Sequence, residues 1–454
     1  MTQPTTIPKH VIKMIVAAAL MGFAGIMSET AMNVTFPKLS VIFGVSMEKL
    51  AWVTTIYLLM VAIMMTLSAY LRRRFSERTL FLASVSIFVA GILIGGTATA
   101  FPVLLVGRVF QGIAAGIALP LTFNIILEEV PLAKLGTWMG IGSLVVSIAP
   151  SIGPTYGGLL VDTLGWRAIF FLTLILVAIS LALGISSFPK KEAKEPTAKL
   201  DIVQFLLLAC ALTTSLIVVS ELETGQLNIP VFIAFLLSLG LFIYKSLTSK
   251  IEFLNIRLFA NPLFLLAIIP FVMYQFANIG GNYLTPNYLQ LGFGVTSLFA
   301  GLALLPGSLI AALLNPWFGK LYDDRGAKLP LYLGNFLFTI SLAIMCIWAQ
   351  SLGLVLLTVT YIVFSFGRVM AFGNMQTATI AHLSKEDGPH ALALFQMMNQ
   401  YGGSIGTAVV ALISSSQTDI KQAFQYTNLL FLLFGFASFG LFYLLFYQYK
   451  DVKK

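Results

Sequence analysis

Three full charges lie well inside the apolar runs of this sequence: Glu29, Arg108 and Arg368. A carboxyl at such depth can take up and release a proton. A guanidinium there can hold an anion or set the charge around a neighbouring carboxyl. Glu29 falls seven residues before the end of its run and Arg108 about six residues after the start of its own. At ~1.5 Å per residue both then sit ~10 Å from the same membrane surface. Each belongs to a polar stripe, Glu29 with Asn33 at i+4 and Arg108 with Gln111 at i+3, and such stripes face a cavity or a neighbouring helix. Arg108 is therefore expected to have Glu29 as its partner, in direct contact or across a shared polar space. The alternatives are a static ion pair that pins two helices, or an arginine that snorkels to the surface.

The elements that must position these groups are membrane spans. The chain has 454 residues, 58% hydrophobic and 10% charged, with a mean hydropathy of +0.92. A soluble protein of this length needs far more polar surface. Apolar stretches of roughly 20 residues, each able to cross a ~30 Å hydrocarbon core, recur end to end. They predict spans at 11–36, 50–71, 79–100, 102–127, 135–160, 167–188, 202–222, 228–247, 262–284, 296–318, 329–349, 353–373, 389–415 and 424–448. The hydrophilic stretch "PKKEAKEPTAKLD" (189–201) separates the first six from two more, and "TSKIEFLNIRLFANP" separates those two from the last six. The first run is too long for a signal-peptide core and is kept as a span. Cys210 and Cys346 fall within spans, and His10, His382 and His390 lack metal-ligand spacing, so neither a disulfide framework nor a metal site is expected.

Charge supports the count. Of 27 Lys and Arg residues, Lys38, Lys49, Arg167 and Lys421 fall on one side, Arg108 and Arg368 lie within spans, and the remaining 21 fall on the other side. Such a bias places both termini in the cytoplasm. The net charge of +9 thus reflects topology. No continuous basic face exists for nucleic acid.

Further constellations punctuate the spans. "PSIGPTYGG" (150–158) puts Pro154, Gly153, Gly157 and Gly158 in mid-membrane, where they break the helical ladder and permit close helix approach. Gln275, Asn278 and Asn282 share one face of the ninth span, and Gln396, Asn399 and Gly403 one face of the thirteenth. Trp52, Tyr57, Tyr274 and Tyr283 offer an adaptable aromatic lining nearby. A mostly apolar pocket with few orienting polar groups suits amphipathic small molecules, while ordinary interhelical hydrogen bonding is the competing reading for any single amide.

These motifs resemble those of a known family. "GRVFQG" followed by "GPTYGG" is similar to the paired signature of major facilitator superfamily antiporters. "SETAMNVTFPKL" resembles the first-span segment of the fourteen-span drug:proton antiporter branch, and "GWRAIF" and "YGGSIGTA" resemble its sixth and thirteenth spans. The resemblance covers the whole chain. It implies an all-α polytopic membrane protein of the major facilitator fold, with two six-helix bundles (1–188 and 262–454) joined by a segment (189–261) that contributes two accessory spans. The family's loop motif is degenerate in the first half, where "AYLRRRFSER" retains only Arg78. It is kept in the second as "GKLYDDRGAK", with Gly319, Asp323, Gly326 and Lys328. That motif implies an inner gate in which Asp323 accepts hydrogen bonds from a helix N-terminus. A solvated turn is the alternative. "GRV" occurs at 107–109 and again at 367–369 at unequal depths, and no role is placed on Arg368.

The expectation is a monomeric transporter of the cell membrane that works by alternating access. It would export hydrophobic or amphipathic small molecules (drugs) in exchange for protons, with Glu29 as proton carrier and Arg108 tuning it. No cofactor beyond the proton motive force is expected. A transporter of a specific metabolite on the same fold stays open. An intramembrane enzyme is disfavoured because no second acid, histidine pair or activated nucleophile lies at bilayer depth, and a channel because no filter segment is visible.

Overall fold

A computed structural model describes residues 7–190, 199–222, 227–249, 253–384 and 387–448. The core of the first linker (191–198) and Lys191, Lys194, Lys250, Lys385, Lys450, Lys453 and Lys454 lie outside them. Sixteen α-helices follow one another: α1 Lys9–Asn33, α2 Phe36–Phe43, α3 Met47–Thr66, α4 Ser68–Arg74, α5 Glu77–Gly96, α6 Phe101–Glu129, α7 Leu132–Thr163, α8 Arg167–Ser187, α9 Ile202–Glu221, α10 Ile229–Thr248, α11 Pro262–Phe293, α12 Ser297–Arg325, α13 Lys328–Ile347, α14 Leu354–Ala381, α15 Asp387–Ser415 and α16 Ile420–Gln448. No strand occurs among the described residues.

Thirteen of these helices are long and apolar enough to cross a membrane. The expected span absent from that set is α15. Its 29 residues suffice, but Gln396, Asn399, Gln400 and its glycines lower its hydropathy. Most ends fall within a few residues of expectation. The first run is not one rod, however. Pro37, in the first turn of α2, cannot continue α1, and the Thr35 hydroxyl satisfies the Met32 carbonyl (2.7 Å) at the break. α11 runs nine residues beyond its expected end, stopping at Gly294, which takes φ +66°.

One cluster packs α1, α3, α5, α6, α7 and α8, and another packs α11 to α16. They meet along two seams, α7 against α12 and α3 against α15. α9 packs on α3 and α15, and α10 covers α9. The outer side of α10 leaves Ile233, Leu237 and Tyr244 exposed, an apolar surface suited to lipid.

The seams are fastened at the end where α1 finishes, called here the far end. There Gln290 Nε2 donates to the Val34 carbonyl (3.0 Å) and the Tyr283 hydroxyl to the Met47 carbonyl (3.3 Å). The Leu298 amide donates to Asp162 Oδ2 (2.9 Å), whose Oδ1 pairs with Lys38 (2.7 Å). Nearer mid-depth, Ser404 Oγ donates to the Thr55 carbonyl (2.9 Å). The opposite end, where α1 starts, is the near end. There α7 is loosely covered, with Gly142 and Ala149 its buried residues between 137 and 150.

Candidate functional site

Glu29, Asn33, Tyr57, Arg108 and Gln111 converge from α1, α3 and α6, and each is at most 2% exposed. Arg108 is the best held. Its Nε donates to the Val53 carbonyl (3.0 Å) and its Nη1 to Gln111 Oε1 (2.8 Å). Its guanidinium carbon lies 4.4 Å from the centre of the Tyr57 ring, a cation–π contact. Arg108 is therefore enclosed and does not snorkel. No ion pair joins it to Glu29, so the two charges interact across the cluster, and Tyr57 feels both. Direct contact, one of the two arrangements expected, is not made.

The cluster is short of partners. Glu29 Oε1, Arg108 Nη2, the Tyr57 hydroxyl, Gln111 Nε2, Asn33 Nδ2, Thr55 Oγ1 and Ser28 Oγ are all buried with no hydrogen bond. Asn33 does accept from Thr54 Oγ1 (2.6 Å). Buried polar groups normally find partners. Seven orphans around one carboxyl and one guanidinium make a site that water, a proton or a ligand group can complete. A carboxyl here can exist as the neutral acid, or as a carboxylate with Arg108 as counter-charge.

α7 ties this cluster to the seam. A Cβ on Gly157 would lie 2.2 Å from the Ala31 carbonyl, two residues past Glu29. One on Gly153 would fall within 2.9 Å of Thr30 Cβ. On the other side of α7, a Cβ on Gly158 would lie 2.3 Å from the Ser297 carbonyl of α12, while one on Gly301 would lie 2.3 Å from the Pro154 carbonyl. Only glycine fits at 157 and 158, so one helix contacts the carboxyl-bearing turn and the opposite cluster at once.

Other expected residues are placed differently. Trp52 Nε1 donates to Ser220 Oγ of α9 (3.0 Å), so it serves the accessory helix and not a cavity. Tyr274 points into the second cluster, where its hydroxyl donates to Asn335 Oδ1 (2.8 Å). Tyr283 belongs to the far-end closure, its ring 5.8 Å from that of Phe36. Gln275 and Asn278 stay in the interior without hydrogen bonds, and Asn282 accepts from the Tyr361 hydroxyl (2.8 Å). Gln396 and Asn399 are half-buried, and Asn399 Oδ1 is an orphan. Asp323 is exposed and makes no hydrogen bond, contrary to the expected gate contact, and a Cβ on Gly319 would meet nothing. Gly326 ends α12 at φ +73°, with the exposed Lys328 opening α13. At this end α7 is only loosely covered, and the expected gate contact is not made.

Sequence reading missed the Val53 carbonyl and the Thr54 and Thr55 hydroxyls, which carry no charge to flag them. It also missed a stripe on α14, Tyr361, Ser365, Arg368, Phe372 and Gln376, legible as steps of three and four residues.

A fold of two six-helix clusters with an intramembrane acid and arginine is that of a secondary transporter. The chain belongs to the Major Facilitator Superfamily, whose domain matches residues 18–407. It is 31% identical over 407 residues to the lincomycin resistance protein LmrB of Listeria monocytogenes, covering 88% of this chain and 86% of the relative. It is 26% identical to the riboflavin transporter RibZ of Clostridioides difficile, covering 89% and 88%. Among solved structures, a D-xylose–proton symporter superposes with a TM-score of 0.72 at 14% identity, over 95% of this chain and 97% of that one.

Proposed function

We propose that the chain is a proton-coupled antiporter that exports hydrophobic or amphipathic small molecules across the cytoplasmic membrane, with both termini inside. The observation that carries this reading is the cluster around Glu29. A carboxyl with a free oxygen lies beside an arginine that is held but not neutralised by it. Protonation relieves an uncompensated buried charge, and release leaves that charge to Arg108. Through Gly157, α7 rests on the same turn and, through Gly158, on the opposite cluster, so a change of charge at Glu29 can bias the far-end seam. Fastened at the far end, the protein is in its inward-facing state. The lincomycin resistance relative supports a drug as substrate.

Proton uptake by proteoliposomes holding the purified chain, on addition of candidate compounds, tests the reading. Compound-dependent flux that Glu29→Gln abolishes supports it. Equal flux in the variant refutes Glu29 as carrier. The riboflavin transporter among the relatives favours a second reading, a metabolite carrier, which flux restricted to one compound would select.

A further inference from the structure

Arg368 has no work in the mechanism above. Its guanidinium makes no ion pair and no hydrogen bond among the described residues, and its Nε is buried without a partner. Its guanidinium carbon lies 5.9 Å from the centre of the Phe372 ring. No acidic residue lies well inside α11 to α16 to neutralise it. An arginine so placed is costly and marks a functional group by default.

Its direction follows from the helix. Val359 (54% exposed) lies nine residues before Arg368, half a turn round at ~100° per residue, so it marks the lipid side of α14. Arg368 points the opposite way, toward α11, and still keeps partial exposure. That exposure is therefore to the interior of the protein.

Two contacts fix the antiparallel register of α14 on α11. The rings of Phe372 and Phe271 stack with centres 4.1 Å apart, and the Tyr361 hydroxyl donates to Asn282 Oδ1 (2.8 Å). In that register Arg368 stands level with Gln275, and Ser365 with Asn278. Gln275 (7% exposed) and Asn278 (9%) have no hydrogen-bond partner. The site is thus a guanidinium and two amides, floored by the Phe271–Phe372 stack and roofed by Tyr361 and Asn282.

We propose that this site binds the carboxylate of an amphipathic substrate. The planar guanidinium fork matches two carboxylate oxygens, and the amide NH2 groups of Gln275 and Asn278 supply further donors. The phenylalanine stack receives the apolar body. This assignment deepens the export reading and rests on it for the term substrate, but binding alone can test it.

The test is equilibrium binding of tritiated 4-phenylbutyrate, and of its uncharged amide, to the full chain in lipid nanodiscs at neutral pH. Wild type should prefer the carboxylate about tenfold or more. Arg368→Gln should lower carboxylate binding by about 10- to 100-fold and leave amide binding within about twofold. No preference in wild type, or equal loss of both probes in the variant, overturns the proposal. Should Arg368→Gln fail to fold, Arg368→Lys and Gln275→Leu decide. Loss of carboxylate binding alone in each supports the site, and unchanged preference in both overturns it. Glu29→Gln should keep the preference while losing proton flux. A chain that binds carboxylate through Arg368 yet never couples to protons sinks the export reading and leaves this site standing.

Discussion

Arg108 and Arg368 follow the same local rule and end in opposite situations. Each comes after a glycine pressed on the neighbouring antiparallel helix, Gly107 on Gly91 and Gly95 of α5, and Gly367 on Gly334 and Phe338 of α13. That close crossing turns the next side chain away from α5 or α13 and into its own half. Arg108 meets a carbonyl, an amide and a tyrosine ring there and is sealed from solvent. Arg368 meets no acceptor and stays partly open. A partnered charge can act on a neighbouring carboxyl without needing a ligand, whereas an unpartnered one gains most from an anion brought to it. On the proposed reading, coupling then lies in the first half and recognition in the second.

The sharpest way to break that separation is at Glu29. Glu29→Gln imitates the protonated carboxyl, so concentrative transport in proteoliposomes should vanish while downhill exchange persists. Arg368→Gln should leave proton movement per transported molecule unchanged for an uncharged substrate. If Arg368→Gln uncouples transport instead, the two halves do not divide the work.

The seam between the halves gives the next largest effect. Gly158→Val would force side-chain atoms onto the Ser297 carbonyl and exclude the far-end-closed state. Transport should fall about 5- to 150-fold, an overpacking cost of roughly 1–3 kcal/mol on one state. A cysteine at position 297, where the native serine is 2% exposed, should become reactive to an impermeant maleimide. Gly157→Val strikes Ala31 within a single half, so it should lower the melting temperature without raising that reactivity. Identical labelling of the two variants would show that the seam does not run where the contacts place it.

Much of this arrangement is legible in the sequence, for reasons that also explain the rest. Charge inside an apolar run is costly enough to announce itself, so Glu29 and Arg108 stand out, and glycines flanked by proline mark close crossings. Run length gives most span ends to within a few residues, because the hydrocarbon thickness sets it. The direction of one aromatic ring has no such constraint. Trp52, Tyr274 and Tyr283 each lie in a plausible span but face α9, the α13 packing surface and the far-end closure. The setting of Arg368 depends on two helices nearly a hundred residues apart, so no local pattern carries it. Asp323 teaches a third lesson. Its loop motif implies a gate contact, but in this structure its side chain is exposed and makes no hydrogen bond.

Stability should report the same contrast between the arginines. Arg108→Gln leaves the Val53 carbonyl and Gln111 Oε1 buried without their donor, a loss of about 2–4 kcal/mol. Arg368→Gln removes an unpaired charge and should stay within about 1 kcal/mol of wild type, or gain slightly. Thermal unfolding of the two variants in the same detergent reads the difference directly. Equal losses would mean that Arg368 has structural partners after all.

The smallest expected effect concerns Tyr57, which lies against Arg108 by its ring and carries a buried hydroxyl with no partner. Two roles are separable. If the ring face steadies the guanidinium, phenylalanine keeps that contact, and a cation–π interaction of about 0.5–2 kcal/mol survives. Tyr57→Phe should then change coupled transport by less than about twofold, while Tyr57→Leu should cost about three- to tenfold. If instead the hydroxyl passes a proton to Glu29 or orders a water beside it, phenylalanine should be as damaging as leucine. The ring explanation is favoured because a hydroxyl of a working relay should already face an acceptor. This one lies over Gly25, where an added Cβ would approach it to 3.0 Å. A Gly25→Ala variant completes the argument: it crowds the hydroxyl and leaves the ring–guanidinium contact in place. Its transport should match that of Tyr57→Phe, and a much larger loss would assign the hydroxyl a part in moving the proton.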